Sequence, residues 1–211
     1  MDQQQAIAML GAMADMQAHH NSQVHPQWPS QGYPYYRAIW VECAEMLDHY
    51  GWKWWKKQTP DLDQVKLELV DIWHFALSEL MRAEQLDDAI ALALGGVEPV
   101  AQSDPEAFRE AIEALALACL QQRSFELAPF LQAMRTLPMD FAELYGLYVG
   151  KNVLNQFRQN NGYRSGEYVK LWAGREDNEH LVELLDALAD DPAQLPERLY
   201  AALNERYTAS T

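Results

Sequence analysis

The chain has 211 residues, 49% of them hydrophobic, which suffices for a globular domain with a sizeable core and excludes a disordered protein. The formal net charge of −15 argues against nucleic acid or an acidic membrane surface as a partner, so a small polyanion would need local positive charge or a metal. Without an apolar run of about 18 residues or a basic N-terminal flank, we expect a cytoplasmic protein with no membrane span.

Helical periodicity covers most of the chain. Alternating strand patterns are almost absent, so the predicted fold class is all-α. Two of the predicted helices contain one cysteine each, Cys43 and Cys119, and we expect both to be reduced, buried thiols. The predicted helices cover residues 3–21, 35–50, 60–83, 84–94, 105–121, 124–135, 140–160, 178–189 and 196–207.

The boundaries of these helices follow from turn and cap residues. Gly51 ends the second helix, and Thr59-Pro60 is predicted to supply the N-cap and the first residue of the third. Asp104-Pro105 opens the helix in the middle of the chain in the same way. Residues 163–176, with two glycines, are predicted to be irregular or extended.

Two carboxylate pairs dominate the chemistry of the sequence. Glu42 with Glu45, and Glu68 with Asp71, are each spaced i, i+3 in an apolar helix, so both members of a pair leave one helix face. At about 5 Å and an effective dielectric of about 20, each like-charged pair costs about 3 kcal/mol. A divalent cation relieves this repulsion, and all-oxygen carboxylate sites suit Mg²⁺ or Mn²⁺.

Two other interpretations of these acids stay open. They are ordinary exposed acids of amphipathic helices, or they form a di-iron site of the ferritin type. That site requires Glu-x-x-His pairs, and neither Glu pair has a histidine at i+3, although His74 does follow Asp71 by three residues.

A basic and amide face is predicted on the helix at 140–160. Lys151, Asn155 and Arg158 are spaced i, i+4, i+7, and a phosphate-binding role competes with that of a solvated face. Lys170 and Arg175, in the glycine-flanked stretch that follows, extend this patch.

Aromatic residues give two further candidates. The run Trp52-Lys53-Trp54-Trp55-Lys56-Lys57 either stacks a base and holds phosphates or packs a loop against the core. His74 is either a structural histidine or, one turn beyond a metal-binding Asp71, a residue at the substrate.

At these residues the chain resembles the dimeric dUTPases of the all-α NTP pyrophosphatase superfamily. The narrow motifs WKWWK, VDIWHF and GKNVLNxFRQxxGY occur in the family's order, and the stretch at 16–24 looks like its N-terminal Gln–Asn motif. His20 departs from the family, which commonly has Leu before that Asn. The matching stretches are MQAHHNSQV at 16–24, WVECAEMLDHYGWKWWKK at 40–57, VKLELVDIWHFALSE at 65–79, and YVGKNVLNQFRQNNGYRSGEYVKLWAGREDNEHL at 148–181.

The resemblance implies hydrolysis of dUTP to dUMP and pyrophosphate, which keeps uracil out of DNA, and leaves hydrolysis of dUDP open. It implies Mg²⁺ as cofactor, with Mn²⁺ as a substitute, and a homodimer as the working form. It also implies one all-α domain over 1–211, a helical bundle in which a core at about 1–83 and 140–189 carries the metal site and a variable helical segment lies at about 84–139.

Site residues carry over from the family position by position. The metal ligands would be Glu42, Glu45, Glu68 and Asp71, with Glu45 also activating the attacking water. Phe75 would lie against the deoxyribose and exclude a 2′-hydroxyl. The uracil and sugar residues would be Gln17, Asn21, Trp55, His74 and Asn155. The phosphate residues would be Lys151, Arg158, Tyr163, Lys170 and Arg175.

Two alternative functions remain from the sequence. A pyrophosphatase of the same superfamily that acts on dCTP, or on both dCTP and dUTP, differs only in the hydrogen bonds of its base pocket. A non-catalytic helical protein that senses a nucleotide is disfavoured, because a sensor has no need of four acids that activate water.

Overall fold

The computed structural model describes residues 1–188 and 195–210, and within these ranges almost every regular element is a helix. The predicted all-α class is confirmed. The end of the predicted helix 178–189 lies outside the described residues. The helices are α1 Gln3–Val24, α2 Tyr35–Tyr50, α3 Leu62–Arg82, α4 Asp88–Gly95, α5 Pro105–Gln122, α6 Leu127–Arg135, α7 Phe141–Asn160, α8 Asp177–Ala187 and α9 Leu195–Ser210, with a 3₁₀ turn at Trp28–Ser30.

The start of α3 differs from the prediction. Asp61, and not Thr59 or Pro60, is the N-cap, because its carboxylate accepts a hydrogen bond from the backbone N–H of Gln64 at 3.2 Å. The N–H of Asp61 also donates to the carbonyl of His49 at 3.0 Å, which ties the start of α3 to the end of α2.

Gly51 ends α2 as predicted, and its conformation requires glycine. Its φ is +96°, and an added Cβ would lie 2.8 Å from the Cβ of Gln58. The Gln58 side chain is held there because its Oε1 accepts hydrogen bonds from the backbone N–H groups of Trp52 and Lys53 at 3.0 and 2.7 Å.

The chain divides into two compact units, Met1–Tyr145 and Gly146–Thr211. In the first unit α2 packs against α3 on one side and α5 on the other, while α1 packs against α3 and α4. Trp73 of α3 stacks on Phe130 of α6 with ring centroids 5.2 Å apart. The middle segment therefore contributes to the core of the first unit, and its designation as a variable helical segment at about 84–139 stays a prediction.

The second unit is built around aromatic side chains. Phe157 of α7 contacts Trp172, and Tyr168 stacks on Tyr207 with ring centroids 5.4 Å apart. The stretch 163–176, predicted to be irregular or extended, contains a short antiparallel hairpin formed by β1 Leu171–Trp172 and β2 Arg175–Glu176.

Cys43 and Cys119 are free and buried, as expected. Burial raises the pKa of each thiol to about 12, so neither is a reactive thiolate at neutral pH. Among the described residues, no helix is long and apolar enough to span a bilayer.

Candidate active site

Three of the four predicted metal-binding acids come together where α2 packs against α3. Glu42, Glu68 and Asp71 each offer a carboxylate oxygen, and these oxygens lie within 4.8 Å of one another. Glu68 is 4% exposed, while Glu42 and Asp71 are half-buried. The i, i+3 spacing on α3 and the packing of two helices thus produce a cluster we name the acidic triad.

The acidic triad fits a hard divalent cation. Two oxygens on opposite sides of Mg²⁺ are about 4.2 Å apart at the usual Mg–O distance of about 2.1 Å. The three carboxylate oxygens, which lie within 4.8 Å of one another, therefore need to move by less than about 1 Å each to bind one ion. Three carboxylates at this distance repel by about 3 kcal/mol per pair, which a cation removes.

Glu45 is not a member of the acidic triad. It lies on α2 one turn beyond Glu42 and is exposed. His49 follows one turn later, and its Nε2 lies 3.5 Å from Oε1 of Glu68. The hydrogen bond to Glu68 raises the pKa of His49, with the charges of Glu68, Asp61 and Glu45 adding to it and burial opposing it.

A second polar group lies between α1 and α3 and contains three residues predicted to surround the uracil. Nε2 of Gln17 donates to Oδ1 of Asn21 at 3.1 Å, and Nδ1 of His74 lies 2.7 Å from Oε1 of Gln17. The amide nitrogens of Gln17 and Asn21 both donate to Oγ of Ser78, at 3.1 and 2.9 Å. All four side chains are buried. We call them the Ser78 network.

The other predicted base and sugar residues of the first unit lie elsewhere on its surface. Phe75 is half-buried on α3 beside the acidic triad. Trp55 is 57% exposed and makes edge contacts with Trp52 and Trp54, which are 45% and 90% exposed. These three rings pack against one another and are exposed. The alternative prediction, that the run at 52–57 packs a loop against the core, is therefore wrong for its tryptophans.

In the second unit the predicted phosphate-binding face of α7 is not a solvated face. Lys151 is 1% exposed, and its Nζ donates to Oδ1 of Asn178 at 3.2 Å. Arg158 donates from Nε and Nη2 to the two carboxylate oxygens of Asp177, both at 2.8 Å, and from Nη1 to Oδ1 of Asn155 at 3.1 Å. Asp177 is fully buried. This ion pair anchors the start of α8 to α7.

The remaining predicted phosphate residues are accessible. Nζ of Lys170 lies 3.3 Å from a carboxylate oxygen of Glu176, and Nη2 of Arg175 lies 2.7 Å from one of Glu183. Tyr163 is 52% exposed. Exposed ion pairs of this kind contribute little, so both cations can exchange a carboxylate for a phosphate at low cost.

Three residues that contact the predicted site residues were not predicted from the sequence. Ser78 follows His74 by four residues and His49 follows Glu45 by four, so helical spacing was a usable signal for both. Asp177 carried no such signal, because its partner Arg158 is 19 residues away in sequence.

The fold and site define an all-α protein with a carboxylate cluster suited to a divalent cation. A sequence model of the dUTPase family matches residues 9–163, more than half of the chain and including every member of the acidic triad and the Ser78 network. The chain belongs to the dUTPase family and is a dUTP-hydrolysing enzyme. No curated protein matches it.

Proposed function

We propose that the chain is a Mg²⁺-dependent dUTP diphosphatase that releases dUMP and pyrophosphate. The observation that supports this most is the convergence of three carboxylate oxygens of Glu42, Glu68 and Asp71 within 4.8 Å. A bound Mg²⁺, or Mn²⁺ in its place, would neutralise charge on the phosphates and lower the pKa of a bound water.

Glu45 is the proposed general base. It lies one turn beyond Glu42 on α2 and outside the acidic triad. Its carboxylate is exposed to solvent, and a carboxylate outside the metal shell is a stronger base than one committed to a metal. The roles of ligand and base, which the resemblance assigns jointly to Glu45, are thus divided among different acids in this proposal.

The Ser78 network is the proposed uracil site, with His74, Gln17 and Asn21 as its polar groups. Their burial supports this, because polar groups fixed in an apolar surrounding discriminate between bases more strongly than solvated ones. Phe75, one turn from Asp71 on α3, is the proposed contact of the deoxyribose. Trp55 is proposed to cover the base.

For the phosphates the resemblance points to residues of the second unit. Lys170, Arg175 and Tyr163 are accessible and can bind an anion directly. Arg158 already donates three hydrogen bonds to Asp177 and Asn155. We propose that Arg158 chiefly holds Asn155 and the start of α8 in place, and that Lys151 supplies buried positive charge.

A homodimer is proposed to form through one face of α2 and α5. A groove between these helices is lined by Ala44, Leu47 and Glu113. On α5, Leu117 and Leu120 lie on the same helix face as Glu113 and are 56% and 48% exposed. On α2, Trp40 lies on the same face as Ala44 and Leu47 and is 39% exposed. Exposed apolar side chains grouped on one face favour a partner site. Action in the cytoplasm stays a prediction from the sequence.

The experiment is a panel of dUTP, dCTP, dTTP, UTP and dUDP, with pyrophosphate or phosphate release followed in Mg²⁺, in Mn²⁺ and with EDTA. We expect Mg²⁺-dependent release of pyrophosphate from dUTP, with the other triphosphates much poorer. Equal turnover of dCTP and dUTP would contradict the base assignment, and full activity in EDTA would contradict the metal site.

A further inference from the structure

Ser78 is a nearly fully buried hydroxyl, 1% exposed, at the centre of the Ser78 network. Its Oγ donates to the carbonyl oxygen of His74, one turn back on α3, at 3.0 Å. The amide nitrogens of Gln17 and Asn21, both on α1, donate to the same Oγ at 3.1 and 2.9 Å. One hydroxyl therefore joins the two helices that carry the proposed uracil site.

The hydrogen-bonding capacity of the Ser78 hydroxyl limits how the two amides can be oriented. A hydroxyl has one hydrogen and two lone pairs. Its hydrogen goes to the His74 carbonyl at 3.0 Å. Both lone pairs then remain for the amide nitrogens of Gln17 and Asn21.

The reversed amides are disfavoured. Turning Gln17 alone would place its oxygen against Oδ1 of Asn21, 3.1 Å away, and turning Asn21 alone would place its nitrogen against Nε2 of Gln17. Turning both amides would keep the bond between them but direct two carbonyl oxygens at a hydroxyl with one hydrogen. Ser78 therefore excludes the one reversed arrangement that the Gln17–Asn21 bond allows.

This orientation fixes the tautomer of His74. With its nitrogen used by Asn21 and Ser78, the Gln17 side chain presents its oxygen to Nδ1 of His74 at 2.7 Å. An amide oxygen only accepts hydrogen bonds, so Nδ1 of the neutral imidazole carries the proton and donates it. Nε2 is then an acceptor.

We propose that Ser78 is a positioning residue that sets the preference for uracil over cytosine by holding His74 in its Nδ1–H tautomer. Uracil has a hydrogen on N3 and can donate it to Nε2, whereas N3 of cytosine is itself an acceptor and meets Nε2 lone pair to lone pair. The inference rests on the proposed placement of His74 at the base. It does not separate uracil from thymine, which also carries N3–H, so thymine must be excluded by the space around its methyl group.

The first test reads the tautomer directly. Long-range ¹H–¹⁵N NMR of the histidine rings at pH 8, where histidine is ordinarily neutral, distinguishes Nδ1–H from Nε2–H. The His74 signals are assigned by their loss in His74→Gln. We expect Nδ1–H in the wild-type protein and a mixture of tautomers in Ser78→Ala. An Nε2–H tautomer in the wild-type protein would overturn the proposal, even if Ser78→Ala fails to fold.

The second test measures specificity. We expect the ratio of kcat/KM for dUTP to that for dCTP to fall by at least about tenfold in Ser78→Ala, because cytosine is no longer opposed by a fixed acceptor. Ser22→Ala is the matched control, since Ser22 on α1 makes the same bond to a carbonyl four residues back, at 2.7 Å, but is exposed. A ratio in Ser78→Ala equal to that of the control would overturn the proposal.

The role of His74 at the base and the role of Ser78 as its positioning residue can be refuted separately. If His74→Gln keeps both the wild-type turnover of dUTP and the wild-type ratio, His74 is not at the base and the proposed uracil site is wrong. If His74→Gln changes the ratio and Ser78→Ala does not, the uracil site stands and the role given to Ser78 is wrong.

Discussion

Glu68 is the most buried acid of the acidic triad, at 4% exposure, and its environment differs from that of its neighbours. A carboxylate in such a place is ordinarily paired, since an unpaired buried charge is expensive. His49 reaches one oxygen at 3.5 Å, which is a weak contact. A divalent cation held by the acidic triad, as proposed, would give Glu68 a stronger partner than His49.

Glu68→Gln should abolish the stabilisation that Mg²⁺ gives the protein. A ligand at about 100 times its Kd raises the free energy of unfolding by about 2.7 kcal/mol. The wild-type Tm should therefore rise in Mg²⁺, and the variant should lack this rise. Without metal its Tm should not fall, because an amide replaces one of three repelling carboxylates. Differential scanning calorimetry with and without Mg²⁺ measures both quantities. Glu110→Gln, at an exposed acid of α5, is the control, and a retained Mg²⁺ shift in Glu68→Gln would exclude Glu68 as a ligand.

Glu45→Gln should separate the base from the ligands. Loss of a general base lowers kcat by about 10²-fold or more, while the affinity for Mn²⁺, followed by its EPR signal, should stay at the wild-type value because Glu45 lies outside the acidic triad. If instead Glu45→Gln loses Mn²⁺ as Glu68→Gln does, Glu45 is a metal ligand. A wild-type kcat would show that it has no part in the reaction.

Helices α7 and α8 are joined by the buried pair of Arg158 and Asp177. Asp177→Asn should destabilise the protein by about 3 kcal/mol or more, because it leaves the Arg158 guanidinium buried without its counter-charge. Urea unfolding followed by circular dichroism measures this loss. Asp186→Asn, at an exposed position of α8, is the control and should change stability little. A loss in Asp177→Asn no larger than in the control would mean that the pair is not a stabilising contact.

The same pair gives stability a defined dependence on pH. Burial would raise the pKa of Asp177, but the hydrogen bonds and charge of Arg158, with the Tyr168 hydroxyl, outweigh it and hold the pKa below its usual value. A carboxyl with a depressed folded-state pKa stabilises above its unfolded pKa of about 3.9 and loses this contribution as the pH falls through the folded value. Wild-type stability should therefore fall below about pH 4 in a step that Asp177→Asn lacks. An equal slope in both proteins below that pH would contradict this assignment.

The helices were predictable because local signals specify them. Gly51 ends α2 at a position whose positive φ favours glycine. Asp104 caps α5 and Pro105 is its first residue. The predicted start of α3 was wrong because both Thr59 and Asp61 can serve as an N-cap. Asp61 is the N-cap in the structure, where its backbone N–H is also bonded to His49 at the end of α2. Helical spacing alone does not contain that information.

The site was predictable in part, for a related reason. The i, i+3 spacing places Glu68 and Asp71 on one face, but only the packing of α2 on α3 decides that Glu42 joins them and Glu45 does not. The role of Ser78 was missed because a serine in an apolar helix usually bonds to the carbonyl four residues back, as it also does here. Two of its other partners come from α1, 57 and 61 residues away in sequence.

At the scale of the whole molecule, the apolar face of α2 and α5 predicts the assembly. Wild-type protein should sediment as a dimer of 24.2 kDa chains at micromolar concentration. Leu117→Asp combined with Leu120→Asp should give a folded monomer, because both side chains are about half exposed in the single chain and leave no cavity when replaced. Leu92→Asp, at an exposed leucine of α4, is the control. A monomeric wild-type protein, or a dimer that survives the double substitution, would exclude this face.

The distribution of the seven tryptophans gives the protein an optical signal of its own. Trp28, Trp73 and Trp172 are buried and should emit at short wavelength, whereas Trp52, Trp54 and Trp55 lie in solvent at one end of α2 and should dominate the red edge of the spectrum. Acrylamide reaches the second group and Trp40, which is 39% exposed. A nucleotide that covers the second group should therefore reduce quenching and shift the emission to the blue. Titration with a non-hydrolysable dUTP analogue would then report affinity without any label. An unchanged spectrum at saturating analogue would show that the three exposed rings stay in water when the substrate is bound.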